Sequence, residues 1–325
     1  MLAGTKNSEV PMALAELPPF PAVLIRALQF ASNSDSRLRE LHDVVSADPV
    51  FARELLKTAN SPLYGLSTPI KSTLQAAIVL GYRQLKALVL TVGTRAYLGT
   101  ALQIPVLRAC WHHSLACAMV AEDLVLAGFI SKSGRWARVD KDFVYTAGIL
   151  HDVGRLALAV LRPTQYATFL KSTEKQPCDV LDQEQVLFGF DHAQTGGALV
   201  TAWELGAEFT EITEQHHKTA ANTLAAAPSD ALAVVRFSCM MADAVGFQAA
   251  RTVNGRSYEE LIGELPECER QYFGPSRDEY ASRIARNISA IESGSLGNPA
   301  PAMIGAIPAA SGCKTVNCSH LRSFA

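Results

Sequence analysis

From residue 14 to residue 292 the apolar side chains recur three or four apart, in short runs cut by proline, glycine and Asx-Pro pairs. Few β-branched alternations compete with that spacing. A chain patterned this way is confined to an all-α fold built from many helices. Pro18, Pro19 and Pro21 precede Val23, Leu24, Ala27, Leu28 and Ala31, and Asp35 and Ser36 end that run. Asp48-Pro49 and Asn60-Ser61-Pro62 separate the next pieces, and Pro105 opens a helix expected to reach Gly128, followed by a loop to Asp142. FVYTAGILHDVGRLALAVL, EQVLFGFDHAQTGGALVTAWEL, EITEQHH and SDALAVVRFSCMMADAVG read as further helices. Ser257 with Glu260 fits a capping box, and Tyr280, Ile284, Ile288 and Ile291 form one apolar stripe suited to docking on the core or on a partner.

Composition limits what such a helical body can do. Of 325 residues, 49% are apolar and 18% charged, and 29 Lys plus Arg against 31 Asp plus Glu leave a net charge of -2. That supports a large core and argues against a broad nucleic-acid surface. The seven cysteines stand mostly alone in apolar runs, as reduced, buried thiols do. The start lacks a basic region followed by an apolar one, and no stretch reaches about 18 charge-free apolar residues, so a cytoplasmic protein with no membrane association is expected. Gly65, Gly81, Gly93 and Gly99 do not make a phosphate loop and read as turns and close helix contacts, while Trp111 and Trp203 read as core.

The chemistry lies in polar residues set within apolar helices. His151-Asp152 interrupts ILHDVGRLAL, and burying that pair without partners is costly. His112-His113, His192 and His216-His217 make six of the eight histidines fall between Pro105 and Gly246, with Asp243 as a further carboxylate. Mixed imidazole and carboxylate donors suit iron, manganese or zinc, and Asp152 could bridge two such ions. The same groups could instead form a structural polar network joining helices. Cys313, Cys318 and His320 are one ligand short of a metal site.

With ADPVFARELLKTANSPLYG and AIVLGYRQLKALVL ahead of the His-Asp doublet, residues 14 to 250 resemble the HDOD family, a branch of the HD superfamily related to HD-GYP proteins. The resemblance implies an N-terminal helical portion over 14–100 and an HD-like portion over 101–250, with helices added at 251–292 and flexible ends at 1–13 and 293–325. It implies a ligand set for one or two divalent ions: His113, His151, Asp152, His192, His216, His217 and Asp243. His113 is preferred to His112 because it precedes Ser114 and shares a face with Cys117 and Val120. Two departures bear on catalysis. Arg155 stands where hydrolytic relatives carry lysine after the doublet, and KTAANTLAAAPSD replaces the GYP element. The implied function is a bacterial signal-transduction module acting through a protein partner. The alternative is a metal-dependent phosphohydrolase of a nucleotide or cyclic nucleotide, with Asp152 and Arg155 in the reaction and a phosphate ester as ligand.

Overall fold

The computed structural model describes residues 37–293 apart from 62–63, 132–135, 137, 219–228 and 254, together with 15, 17, 21 and 23–26. Both termini expected to be flexible, and with them Cys313, Cys318 and His320, lie outside the described residues except for Ser293, which ends a helix. The fold is all-α. Its helices are α1 (Arg37–Ser46), α2 (Pro49–Ala59), α3 (Thr73–Leu98), α4 (Pro105–Ser131), α5 (Lys141–Leu150), α6 (Val153–Leu161), α7 (Pro163–Lys175), α8 (Val180–Phe188), α9 (His192–Ala202), α10 (Ala207–Gln215), α11 (Asp230–Ala244), α12 (Tyr258–Glu264), α13 (Glu267–Arg270) and α14 (Arg277–Ser293). Among the described residues the only β-type pairing is an isolated bridge between Cys178 and Thr252.

Most helix starts are set by short polar side chains that accept otherwise unpaired backbone N–H groups. Asp48, Ser72, Asp140, Asp179, Asp191 and Ser229 cap α2, α3, α5, α8, α9 and α11, and Ser257 with Glu260 completes the capping box of α12. Helix α4 is the axis of the molecule, buried on most sides and packed against α5, α11 and α14. Helices α1 and α2 lie on α3, while α6 lies on α9 and α9 on α10. Tyr280, Ile284, Ile288 and Ile291 are all buried, so the stripe of α14 docks on the core as its spacing implies, and Trp111 and Trp203 are core residues.

Four boundaries differ from the sequence reading. The helix from Pro105 continues past Gly128 to Ser131, because a helical glycine costs only about 1 kcal/mol and packing there overrides it. His151-Asp152 does not lie within one helix but forms the junction of α5 and α6, where Asp152 leaves helical geometry at φ -105 and ψ 20. The run through EQVLFGFDHAQ divides into α8 and α9 because Gly189 turns left-handed at φ 84. Helix α7, with Pro163 at its first turn, was not anticipated. Gly81, at φ 73, breaks α3 into two segments, and Gly93 lets Leu24 approach to 2.8 Å of where a Cβ would stand. By length and composition Pro105–Ser131 and Lys141–Leu161 are each apolar enough to cross a membrane, yet 67% and 83% of their apolar windows are buried inside the protein.

Candidate metal centre

Five elements bring their polar residues to one point. His113 comes from α4, His151 and Asp152 from the α5–α6 junction, His192 from the first position of α9, His216 and His217 from the end of α10, and Cys239 from α11. The junction explains why Asp152 is available. It occupies the cap position of α6 but makes no capping bond, so its carboxylate turns inward. Gly154 makes the approach possible, for a Cβ there would stand 1.9 Å from the carbonyl oxygen of His192.

The two faces of each imidazole have separate tasks. The Nδ1 of His151 is 2.8 Å from the Gly148 carbonyl, that of His216 is 2.9 Å from the Thr213 carbonyl, and that of His113 is 2.9 Å from the Phe247 carbonyl. A carbonyl oxygen only accepts, so each Nδ1 carries a proton; His151 and His216 are neutral and present an Nε2 lone pair to the centre, whereas for His113 the neighbouring Cys239 and Asp243 outweigh burial and push the ring well above its ordinary pKa. For His192 the acceptor is Glu184, whose Oε2 lies 2.6 Å from Nδ1 and also takes the backbone N–H of His192 at 2.8 Å. Tyr166 donates its hydroxyl to the other oxygen of Glu184 at 2.6 Å. Such outer partners fix ring orientation and tautomer in metal-binding histidines.

Inward, Asp152 Oδ1 is 3.3 Å from the Nε2 of both His192 and His216, and Oδ2 accepts from Arg155 Nε at 2.8 Å. The Nε2 atoms of His113 and His151 face each other at 3.4 Å, and Cys239 Sγ is 3.4 Å from that of His113. Burial alone would raise the Asp152 carboxyl, but the Arg155 guanidinium at 2.8 Å outweighs it and holds the group well below the usual carboxylate range. Burial pushes His151 well down and His216 down, so both are neutral at pH 7, and it pushes the Cys239 thiol up to about 12.

These residues fit a divalent cation. Asp152 Oδ1 and His216 Nε2 are buried without a hydrogen-bond partner, as is Arg155 Nη1, and converging lone pairs repel unless a cation stands between them. The donors fall into two groups, Asp152 with His192, His216 and His217, and His113 with His151 and Cys239. Imidazole nitrogen, carboxylate and a single cysteine sulfur suit zinc or iron more than magnesium or calcium. Asp243, a ligand by resemblance, sits on the outer side of His113, 3.2 Å from Nδ1 and with 31% of its side chain exposed. His112 turns away to Glu292 at 2.9 Å, which leaves His113 as the member of that pair facing the centre.

The HDOD domain profile matches residues 17–219. The chain belongs to the HDOD domain family. An HDOD domain protein of unknown function from Geobacter sulfurreducens superposes with a TM-score of 0.58 at 23% identity, over 88% of this chain and 97% of that one. A Marinobacter aquaeolei VT8 protein provisionally named for signal transduction gives 0.59 at 20%, over 86% and 58%. A Shewanella amazonensis SB2B protein provisionally named a metal-dependent phosphohydrolase gives 0.52 at 16%, over 89% and 99%. An uncharacterized protein of Treponema pallidum (strain Nichols) is 24% identical over 209 residues, 62% of this chain, and the match spans only 38% of that relative.

Two residues of this HDOD centre escape a reading of the sequence. Glu184 sits in VLDQEQVLF, which looks like a solvated helix, although the spacing Val180, Glu184, Phe188 places it within an apolar stripe. Cys239 reads as a small core residue, one turn before Asp243 on the same face of α11. Glu184→Gln is expected to weaken metal binding about 10- to 100-fold, because the neutral amide no longer fixes the His192 ring that stands against both Asp152 and Arg155. Competition against a chromophoric chelator measures this, and an unchanged affinity would show that Glu184 serves packing alone.

Proposed function

We propose that this HDOD protein is a noncatalytic, cytoplasmic signalling module, in which a buried divalent ion ties α4, the α5–α6 junction, α10 and α11 into one body that a protein partner reads. The supporting observation is how closed the centre is to solvent. His151 and His192 are 0% exposed, Asp152 1% and His216 5%, and the Arg155 guanidinium lies against Asp152, His192 and His217. A bound ion would supply cross-linking of helices and, given an open coordination position, Lewis acidity toward a phosphate ester. The protein's own groups orient four rings, exclude water and keep the carboxylate ionised, which serves the first of these roles better.

A route from the centre to the surface runs along α8. Its inner face carries Glu184, and its outer face exposes Val186 and Leu187 at 77% and 54%, an apolar pair suited to a partner. Protein purified without chelators is therefore expected to carry an ion and to show no more turnover than Asp152→Ala on nucleotides, cyclic dinucleotides and generic phosphate esters. Turnover that disappears in Asp152→Ala would replace this reading with a phosphohydrolase. The signalling half is tested by identifying partners crosslinked through α8 and asking whether Leu187→Glu abolishes the crosslink without loss of the ion.

A further inference from the structure

We infer that the guanidinium of Arg155 occupies the place of a second cation, so that this centre takes one divalent ion rather than two. The inference rests on the metal-holding reading above. The sequence resemblance counts donors for two ions, but the structure shows that several are already engaged. Arg155 Nε donates to Asp152 Oδ2 at 2.8 Å, and Nη2 lies 3.3 Å from His192 Nε2 and 3.5 Å from His217 Nε2. His192 directs its Nδ1 at the Glu184 carboxylate, so its Nε2 meets Arg155 as a lone pair meeting an N–H donor. One permanently charged side chain thus satisfies a carboxylate oxygen and faces two imidazole nitrogens.

In the group of Asp152, His192, His216 and His217 this leaves only Asp152 Oδ1 and His216 Nε2, both without a hydrogen-bond partner, whereas the group of His113, His151 and Cys239 has no contact with the guanidinium and remains to hold an ion. The rings of His151 and His216 meet edge to face at 4.9 Å between centroids, and His113 follows at 5.3 Å from His151. Charge leads to the same division. Asp152 and Arg155 already neutralise each other, and the guanidinium is buried at 3% exposure, where solvent does little to screen it from a neighbouring dication. A second dication would have to displace Arg155 from its 2.8 Å contact with the Asp152 carboxylate, whereas the first need not.

The test is a count of ions. Metal-depleted wild-type protein, dialysed against zinc(II) or manganese(II) and analysed by elemental mass spectrometry, is expected to hold one ion per chain. Arg155→Gln is expected to hold two, and Arg155→Gln combined with His217→Ala to return to one. Two ions in the wild type, or one in a folded Arg155→Gln, would overturn the inference while leaving the metal-holding reading intact. No ion in the wild type would remove that reading and the inference with it. Should Arg155→Gln fail to fold, the electron paramagnetic resonance of manganese-saturated wild type still decides. An isolated manganese(II) spectrum supports one ion, and an exchange-coupled pair refutes it.

Discussion

Asp152→Asn is expected to abolish metal binding and to lower the stability of the metal-free protein by about 3–5 kcal/mol, the range for breaking a buried ion pair by removing one partner. The side chain is nearly isosteric, so the loss does not come from a cavity. It comes from Arg155, which is 3% exposed and donates Nε to Asp152 Oδ2, and which would be left as a buried cation facing imidazoles and an amide. The carboxylate also faces His192 and His216 through Oδ1 at 3.3 Å, and an amide oxygen is a poor ligand in its place. Urea unfolding in the presence of a chelator reads the stability, and elemental analysis reads the ion. The double variant Asp152→Asn with Arg155→Gln should recover part of the loss, because it removes the stranded charge along with its partner. If the single and double variants are equally destabilised, the pair is not coupled and the cost belongs to packing.

How much of this centre can be read from the sequence depends on whether a residue's role is local or tertiary. The helices are legible because Asp48-Pro49, Ser229 and Ser257 mark starts and the apolar spacing marks faces. The inward histidines are legible because polar rings within apolar runs need partners. The break at His151-Asp152 is not, since neither residue is a glycine or proline and the bend is set by packing of α6 on α9. Cys239 and Asp243 lie one turn apart on α11, and which of them faces the inner nitrogen of His113 is fixed by the rotation of α11 against α4. No pattern within α11 encodes that rotation. Glu184 was hidden for the same reason: its partner His192 lies across the Gly189 turn, in another helix.

That tertiary constraint is concentrated at one atom, and Gly154→Ala is expected to cost about 3 kcal/mol or more, the upper end for overpacking a close-packed site. A Cβ at residue 154 would stand 1.9 Å from the His192 carbonyl oxygen and 2.5 Å from the Gly196 backbone nitrogen. Both obstacles are backbone, so no rotamer change relieves them, and α6 must shift from α9. The shift is costly twice over, because it draws Asp152, at the head of α6, away from His192, at the head of α9. Metal affinity should therefore fall along with stability, although residue 154 offers no ligand atom. Gly263→Ala is the control: its Cβ would meet nothing within 4 Å, and alanine favours the helix α12 that contains it. A urea midpoint for Gly154→Ala that matches Gly263→Ala, with the ion retained, would mean that α6 and α9 do not approach as closely as the centre requires. In that case the convergence of Asp152 with His192 would need another explanation.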